Sequence, residues 1–243
     1  MNPAWPSALL LLTAWAAQAN DADKLRALGG DVFTKGNVVA EINLNRSKIT
    51  DDQLKLVAGF KHLTDLSLEQ TKIGDTGLAH LTGLAKLEWL NLYRTQVGDA
   101  GLAHLGKLPR LQHLPIGETR VTDAGIAHIA KLKRIVYLGL RGNKIGDAAI
   151  LHLTKLPRLT GLHLGETGIT DKGLEALAAF GQLQKLWLHD TRITDASVPC
   201  LAGLRKLQSL YLHRTGLTVE GVRGLQKALP KCRIFYRSAT VPE

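Results

Sequence analysis

Cysteine is nearly absent from this 243-residue sequence, which contains only Cys200 and Cys232. Two cysteines cannot build the disulfide framework of a small cysteine-rich domain, and they form no zinc-type cluster. They fall in different elements of the repeat described below and lie two repeats apart, a separation that exceeds the reach of a disulfide bond. We therefore predict two buried free thiols.

Long apolar segments are also missing. The longest run, from Ala8 to Ala17, has about ten residues, roughly half of what a transmembrane helix needs. A small-x-small cleavage pattern, Ala17-Gln18-Ala19, follows it and leads into polar residues. We predict that residues 1–19 are a signal peptide, that the protein is secreted, periplasmic or extracellular, and that it does not span the membrane once the peptide is removed. No Lys or Arg precedes the run, which leaves a misassigned start or an uncleaved anchor as alternatives.

Catalytic signatures are missing as well. The sequence has no Gly-x-Ser-x-Gly nucleophile elbow, no phosphate-binding loop, no His-Glu-x-x-His helix and no cysteine beside a positioned base. We therefore predict that the protein is not an enzyme and carries no cofactor.

What the sequence does contain is a period of 24 residues. The segment Leu66-Ser67-Leu68 recurs at this spacing without insertion, and the alternation of Leu-x-Leu has the period of a β-strand. Apolar residues three apart follow each strand and predict a short helix. Nine strand positions share this register: 42–44, 66–68, 90–92, 114–116, 138–140, 162–164, 186–188, 210–212 and 234–236.

The repeat resembles the leucine-rich-repeat superfamily over residues 39–237, and in particular the 24-residue bacterial type of secreted and effector proteins, with Asp-x-Gly-Leu-x-x-Leu helices. The resemblance implies an α/β solenoid with a curved parallel β-sheet on the concave face and short helices on the convex face. It does not identify a ligand. We expect an N-terminal cap over 20–41, made of a short helix and a hairpin, the solenoid over 42–237, and a tail over 238–243.

Two rows of polar residues accompany the repeat. Aspartates recur just before the predicted helices, where a carboxylate can cap free backbone N–H groups. Threonines stand where many family members carry Asn, and a threonine hydroxyl can still bond the turn backbone, so we expect the turn to survive with a shallower ladder. The rows are Asp75, Asp99, Asp123, Asp147, Asp171 and Asp195, and Thr71, Thr95, Thr119, Thr167, Thr191 and Thr215, with Asn143 in the second row.

The net charge of +10 points to anionic partners unless it has a structural explanation. Many of the Lys and Arg residues recur at or just past the ends of the predicted helices, where cations complement the helix dipole and the unpaired carbonyls. We therefore predict no binding to nucleic acid.

Aromatic residues mark the candidate binding face. When both leucines of a strand are buried, the residues before, between and after them point away from the core. Of the twelve aromatic residues, two precede residue 20, and six of the other ten occupy these exposed columns. Tyr and Trp combine apolar area with a polar handle, which suits recognition. The columns predict two binding patches with a nearby arginine: Trp89, Tyr93, His113 and Tyr137; His163, Trp187, His189, Tyr211 and His213; and Arg141.

We predict that a monomer of this protein binds a protein partner through this face. The alternatives are binding of an anionic cell-envelope polymer or glycan by ring stacking and arginine contacts, an intracellular adaptor or effector, and rings that only stiffen the sheet. His189 and His213 could share a metal with Asp190 or Glu166 as third ligand. Aligned histidines also arise from repeat duplication, however, so we predict no metal site.

Overall fold

The computed structural model describes residues 8–236, so the predicted tail and the first seven residues of the predicted signal peptide lie outside it. In this range ten strands form one sheet in chain order. The first two strands are antiparallel, and each later strand pairs in parallel with its predecessor. The strands are β1 Asp31–Lys35, β2 Val38–Asn43, β3 Asp65–Ser67, β4 Trp89–Asn91, β5 His113–Pro115, β6 Tyr137–Gly139, β7 Gly161–His163, β8 Lys185–Trp187, β9 Ser209–Tyr211 and β10 Arg233–Phe235.

Short helices connect the parallel strands along the convex side. Strand and helix alternate at the predicted interval, which confirms the predicted solenoid. The α-helices are α1 Ala8–Ala27, α2 Asp75–Leu78, α3 Asp99–Leu105, α4 Asp123–Ile129, α5 Asp147–Leu153, α6 Asp171–Leu174, α7 Val198–Ala202 and α8 Val219–Ala228, and 3-10 helices cover Asp52–Gly59, Ala79–Leu81, Glu175–Ala179 and Asp195–Ser197.

The core is one continuous column of leucine and isoleucine. Strand pairing places equivalent residues side by side, as where Leu66 pairs with Leu90. Within one repeat Leu66 and Leu68 from the strand and Leu78 and Leu81 from the helical side are fully buried. Because a single repeat has too little apolar surface around it, each depends on its neighbours for burial. This dependence fixes the register of the whole sheet.

The N-terminal cap differs from the prediction in where its helix begins. The expected short helix is the last part of α1, which begins at Ala8 and runs through the predicted cleavage point without a break. Ala22 and Leu25 are buried and cover the end of the core. The strands β1 and β2 form the expected hairpin. In the described part of the chain, no helix is both long and apolar enough to cross a membrane.

The aspartate row has a different role from the predicted one. Each Asp is the first residue of its helix, and the cap position before it holds Gly or Thr. The carboxylate reaches to the next repeat instead: Asp99 accepts hydrogen bonds from the Thr122 backbone N–H at 2.8 Å and from the Thr122 hydroxyl at 2.6 Å. A Cβ at Gly125 would collide with the Asp99 carboxylate, which explains the glycine two residues after Asp in the helix motif. The row therefore joins repeats.

The threonine row closes turns within single repeats, as predicted. The buried Thr95 hydroxyl donates to the Leu92 carbonyl at 2.8 Å, and the other threonines of the row repeat this bond. Asn143 alone in the row reaches to its neighbour, since its amide donates to Ile116 O and accepts from Thr119 N–H, both at 2.8 Å. The threonine bonds of the row therefore lie mainly within single repeats, whereas Asn143 joins two repeats.

The two cysteines are free thiols, half-buried rather than fully buried as predicted. Burial raises the pKa of the Cys232 thiol, which keeps it protonated and poorly nucleophilic at neutral pH.

Candidate functional site

The ten residues predicted to contact a partner lie on the concave face, and all are half-buried. Strand pairing aligns them in columns: Trp89 with His113, His113 with Tyr137, and Trp187 with Tyr211. The columns are as predicted, but the surroundings of the side chains differ along the sheet.

Five rings form a contiguous stack, here called the aromatic ladder: Tyr137, His163, Trp187, Tyr211 and Phe235. Trp187 stacks on Tyr211 with ring centroids 5.2 Å apart, and Tyr211 stacks on Phe235 at 4.4 Å, with interplanar angles of 7° and 3°. Tyr137 meets Trp187 edge-on at 6.1 Å, and His163 lies 5.3 Å from Trp187. Tyr137 therefore belongs with the second predicted patch, not the first.

Glycines in the concave columns make room for these rings. A Cβ at Gly161 would lie 2.9 Å from Cδ2 of Tyr137, and a Cβ at Gly139 would lie 3.1 Å from its hydroxyl. A Cβ at Gly165 would overlap the His189 ring. The rings therefore lie down against the sheet backbone, which is why they are only half exposed. Burial raises the pKa of Tyr137 accordingly.

A chain of hydrogen bonds borders the aromatic ladder. His163 Nε2 and His189 Nε2 are 3.0 Å apart, and His189 Nδ1 is 2.9 Å from the Asp190 carboxylate. Arg214 donates two hydrogen bonds to the same carboxylate, and these lower the pKa of Asp190. Burial, together with the nearby His189 and Arg141, lowers the pKa of His163 to about 4. At neutral pH the chain therefore joins an ionised Asp190 to a neutral His163.

Two arginines of the concave face, Arg94 and Arg141, are paired with carboxylates. Arg141 binds Glu166 at 2.7 Å, and Arg94 binds Glu118 at 2.6 Å while lying 5.3 Å from the Tyr93 ring centroid. These pairs raise the pKa of both arginines and lower that of Glu118. The positive charges of Arg94 and Arg141 are thus locally balanced.

The carboxylates that hold these arginines come from a fourth column of residues, which the alternation of exposed positions along the strands did not predict. In the repeats from Arg46 to Arg214, the residue directly after the third exposed position adopts a positive φ, between 50° and 58° at the non-glycine residues and 70° at Gly142. Because left-handed backbone favours glycine, polar or charged side chains at all but one of these turns are unusual. The signal in the sequence is a 24-residue row of polar residues at that offset: Arg46, Gln70, Arg94, Glu118, Glu166, Asp190 and Arg214, with Gly142 in the same row.

The N-terminal half of the concave face is polar. The Ser67 hydroxyl donates to the Asn45 side chain, the Asn91 amide donates to Glu69 at 3.0 Å, and the Tyr93 hydroxyl donates to Glu118. Among the described residues, Trp89 and His113 contact no other aromatic ring. The first predicted patch is therefore not a ring cluster in the described part of the chain, and within it the Tyr93 side chain is held by a hydrogen bond.

One group of side chains in the described part of the chain has the donor atoms and spacing to hold a metal ion. Single ligand atoms of Glu166, His189 and Asp190 lie within 4.8 Å of one another. From the sequence, His189 could share a metal with His213, whereas the ring nitrogen that meets His189 belongs to His163, which lies in the neighbouring repeat and in the adjacent exposed column.

Three solved structures share this architecture at low sequence identity. Internalin C2 of Listeria monocytogenes is 21% identical, with 91% of this chain and 92% of that chain covered and a TM-score of 0.67. The ectodomain of the Arabidopsis receptor kinase HAESA, solved in complex with an extended IDA peptide hormone, is 16% identical over 93% of this chain and 42% of that chain, with a TM-score of 0.69. The internalin inlF of Listeria monocytogenes is 22% identical over 85% of this chain, with a TM-score of 0.59, and the match spans 60% of that protein.

These likenesses establish the fold only, and no curated protein matches the chain. By contrast, the family model named leucine-rich repeat region matches residues 43–242. This range is most of the sequence, and it includes every parallel strand from the end of β2 onward. The chain therefore belongs to the leucine-rich-repeat family.

Proposed function

We propose that this protein is an exported interaction module that binds a protein partner through the aromatic ladder on its concave face. The observation that carries the proposal is the stack itself, in which the rings of Trp187, Tyr211 and Phe235 stand parallel at 4.4 to 5.2 Å. Half-exposed aromatic side chains gathered on one surface are the residues that dominate protein interfaces.

Fixed rings favour binding because little ordering remains to be done. Trp187 contacts Tyr137, His163 and Tyr211 before any partner arrives. Immobilising a free side chain at an interface costs about 0.5–1.5 kcal/mol, and a preorganised side chain avoids most of that cost. The stack that stiffens the sheet therefore also prepares a contact surface.

The geometry favours a polypeptide over an anionic polymer. Sugar rings bind by stacking on open aromatic faces, but both faces of Tyr211 are covered, by Trp187 on one side and by Phe235 on the other. An anionic polymer also binds through cations, and two of the arginines beside the ladder, Arg141 and Arg214, are already held by carboxylates. The stack exposes the edges of its rings and the polar atoms of Trp, Tyr and His. Ring edges can pack against apolar side chains of a protein, and the polar N–H and O–H groups can donate to its backbone carbonyls.

A peptide ligand has a precedent among proteins of this fold. HAESA is solved with a peptide hormone bound to its leucine-rich-repeat ectodomain. That likeness supports a polypeptide as the class of ligand and says nothing of its identity here.

Export rests on the apolar run and the small-x-small pattern at the N-terminus. Sequencing the N-terminus of the protein recovered from its native source tests it. A start at Asn20 supports export and rules out the intracellular adaptor, whereas an intact start recovered from the cell interior contradicts export.

The binding site is tested with two matched double variants. Trp187→Ala/Tyr211→Ala removes the centre of the aromatic ladder, and Trp89→Ala/Tyr93→Ala removes the same two residue types from the polar half. We expect the wild type and Trp89→Ala/Tyr93→Ala to retain a partner from secreted and envelope extract. Trp187→Ala/Tyr211→Ala should bind that partner at least tenfold more weakly, because aromatic anchors at an interface contribute about 2 kcal/mol or more each.

Circular dichroism and thermal unfolding of all three proteins exclude a folding defect as the cause of any loss. Equal retention of the partner by both variants would contradict the proposed site. Retention of a polymer that salt removes, in place of a protein, would favour the anionic polymer.

A further inference from the structure

Two histidine rings meet nitrogen to nitrogen beside the aromatic ladder. His163 Nε2 and His189 Nε2 are 3.0 Å apart, with ring centroids 5.2 Å apart and planes inclined by 60°. They come from adjacent repeats and from different columns, so their approach is not a consequence of the 24-residue period. Two imidazole nitrogens that bind one tetrahedral ion at about 2.1 Å each lie about 3.4 Å apart. A shift of a few tenths of an ångström would therefore admit an ion between them.

A hydrogen bond at the other ring nitrogen of His189, Nδ1, already orients the ring so that Nε2 can bind an ion. Its Nδ1 is 2.9 Å from an oxygen of Asp190, a carboxylate that Arg214 also binds. Since an ionised carboxylate only accepts, Nδ1 carries the proton and the lone pair is on Nε2, which faces His163. A carboxylate behind a ligating imidazole is the usual outer partner of histidine in metal sites.

Glu166 supplies a third donor. Its ligand atom lies within 4.8 Å of those of His189 and Asp190. Both hydrogen bonds from Arg141 go to Oε1, which leaves Oε2 outside that pair. The three donors come from the middle and third exposed columns and from the positive-φ turn column, so the site requires two adjacent repeats.

We propose that His163 and His189 bind, through their facing Nε2 atoms, a zinc ion or another divalent transition-metal ion that prefers imidazole. Asp190 is the outer partner of His189, and Glu166 is a carboxylate close enough to His189 to turn toward the ion. Binding requires the tautomer of His163 that carries its proton on Nδ1: Nε2 releases its proton to solvent and Nδ1 takes one up from solvent, so that both Nε2 atoms can be ligands.

The types of ligand at the site select the class of ion. Glu166 and Asp190 are balanced by Arg141 and Arg214, so the cluster offers no excess negative charge. Calcium and magnesium depend on several carboxylate or carbonyl oxygens. Imidazole nitrogens bind zinc, nickel and copper far better than they bind those hard cations. The site therefore discriminates by ligand type and not by charge.

Zinc alone is the probe, so the proposal stands or falls independently of the protein partner. Titrating the metal-free protein with zinc in a calorimeter should show one tight site, and cobalt should give the visible absorption of a tetrahedral nitrogen-bound ion. His163→Gln and His189→Gln should each weaken zinc binding at least tenfold, and Asp190→Asn about tenfold. Magnesium and calcium should give no binding heat.

His113→Gln is the matched control, because it changes a histidine of the same face that lies outside the cluster, and it should leave zinc affinity unchanged. Thermal unfolding without metal shows whether each variant is folded, and zinc should raise the Tm of the wild type but not of His163→Gln. Unchanged affinity in His163→Gln would overturn the proposal, as would a loss found in His213→Gln and not in His163→Gln, which would assign the ion to the histidine column.

Discussion

The two halves of the concave face rest on the same scaffold and differ in what they display. Strands β3 and β4 and the turns after them carry Asn, Ser and Glu side chains joined by hydrogen bonds, such as Asn91 to Glu69, alongside the unstacked ring of Trp89. Strands β6 to β10 carry the aromatic ladder. Beneath both, the strand leucines are equally buried, as Leu90 and Leu186 are.

The difference teaches where sequence is free to vary in a solenoid. Inward positions are constrained by the shared core, and the turn threonines by the bond each makes to its own strand. The outward columns are less constrained by the core, although glycines and ring contacts shape them in the C-terminal half. The change from polar to mainly aromatic content halfway along one face is the reason that we place the proposed function in the C-terminal half.

The largest difference that we predict between the two halves is in how much an aromatic side chain contributes to stability. Trp187→Ala removes one stacked, one edge-on and one tilted ring contact. Since an aromatic pair contributes about 0.5–1.5 kcal/mol beyond its burial, we expect a loss of about 2–3 kcal/mol in the free energy of unfolding. Trp89→Ala, which removes no ring contact within the described chain, should cost less than about 1 kcal/mol. Urea denaturation of both variants measures the difference, and equal losses would mean that the ladder adds nothing to the fold.

Sequence period alone was enough to predict the solenoid, the strand register and the outward columns. These features depend on spacing, because alternation along a strand decides which side of the sheet a residue occupies. The sequence therefore located all ten candidate binding residues on one face without any knowledge of their partners.

Contacts between repeats were harder to predict. The Asp99 carboxylate accepts a hydrogen bond from the next repeat rather than from its own helix, because the stacking of repeats brings the Thr122 backbone N–H within 2.8 Å of it. His189 meets His163 rather than the aligned His213 because Gly165 leaves space for its ring to lie flat. Such contacts depend on side-chain rotamers and on the space that a missing Cβ creates, and neither follows a period.

A smaller effect tests whether the scaffold beneath the two halves is the same. Asp99 and Asp147 make the same pair of bonds to the next repeat, to Thr122 and Thr170 at 2.6 to 2.8 Å. A hydrogen-bonded charged group contributes about 1.5–3 kcal/mol, so Asp99→Ala and Asp147→Ala should each lower the free energy of unfolding by about 1.5 kcal/mol. Because one site lies under the polar half and the other under the aromatic half, a difference above about 0.5 kcal/mol would show that the two halves differ in the scaffold as well.

The smallest expected effect concerns pH and belongs to the polar half. Hydrogen bonds from Arg94 and Tyr93, together with the charges of Arg94 and Arg141, hold the pKa of Glu118 below its ordinary value of 4.5, against the opposing effect of burial. The unfolded chain therefore binds a proton at Glu118 at a higher pH than the folded chain does.

The contribution of Glu118 to stability is then fully present above pH 4.5 and disappears as the pH falls through the lowered pKa of the folded state. Glu118→Gln should be less stable than the wild type at about pH 6, and the gap should narrow at about pH 3.5, by little because the ion pair is partly exposed and screened by salt. Glu41→Gln, at an exposed carboxylate with no ion pair in the described chain, is the matched control for removing a carboxylate from this half. If the gap for Glu118→Gln stays constant with pH, the ion pair contributes no stability and the polar half is held by its neutral hydrogen bonds alone.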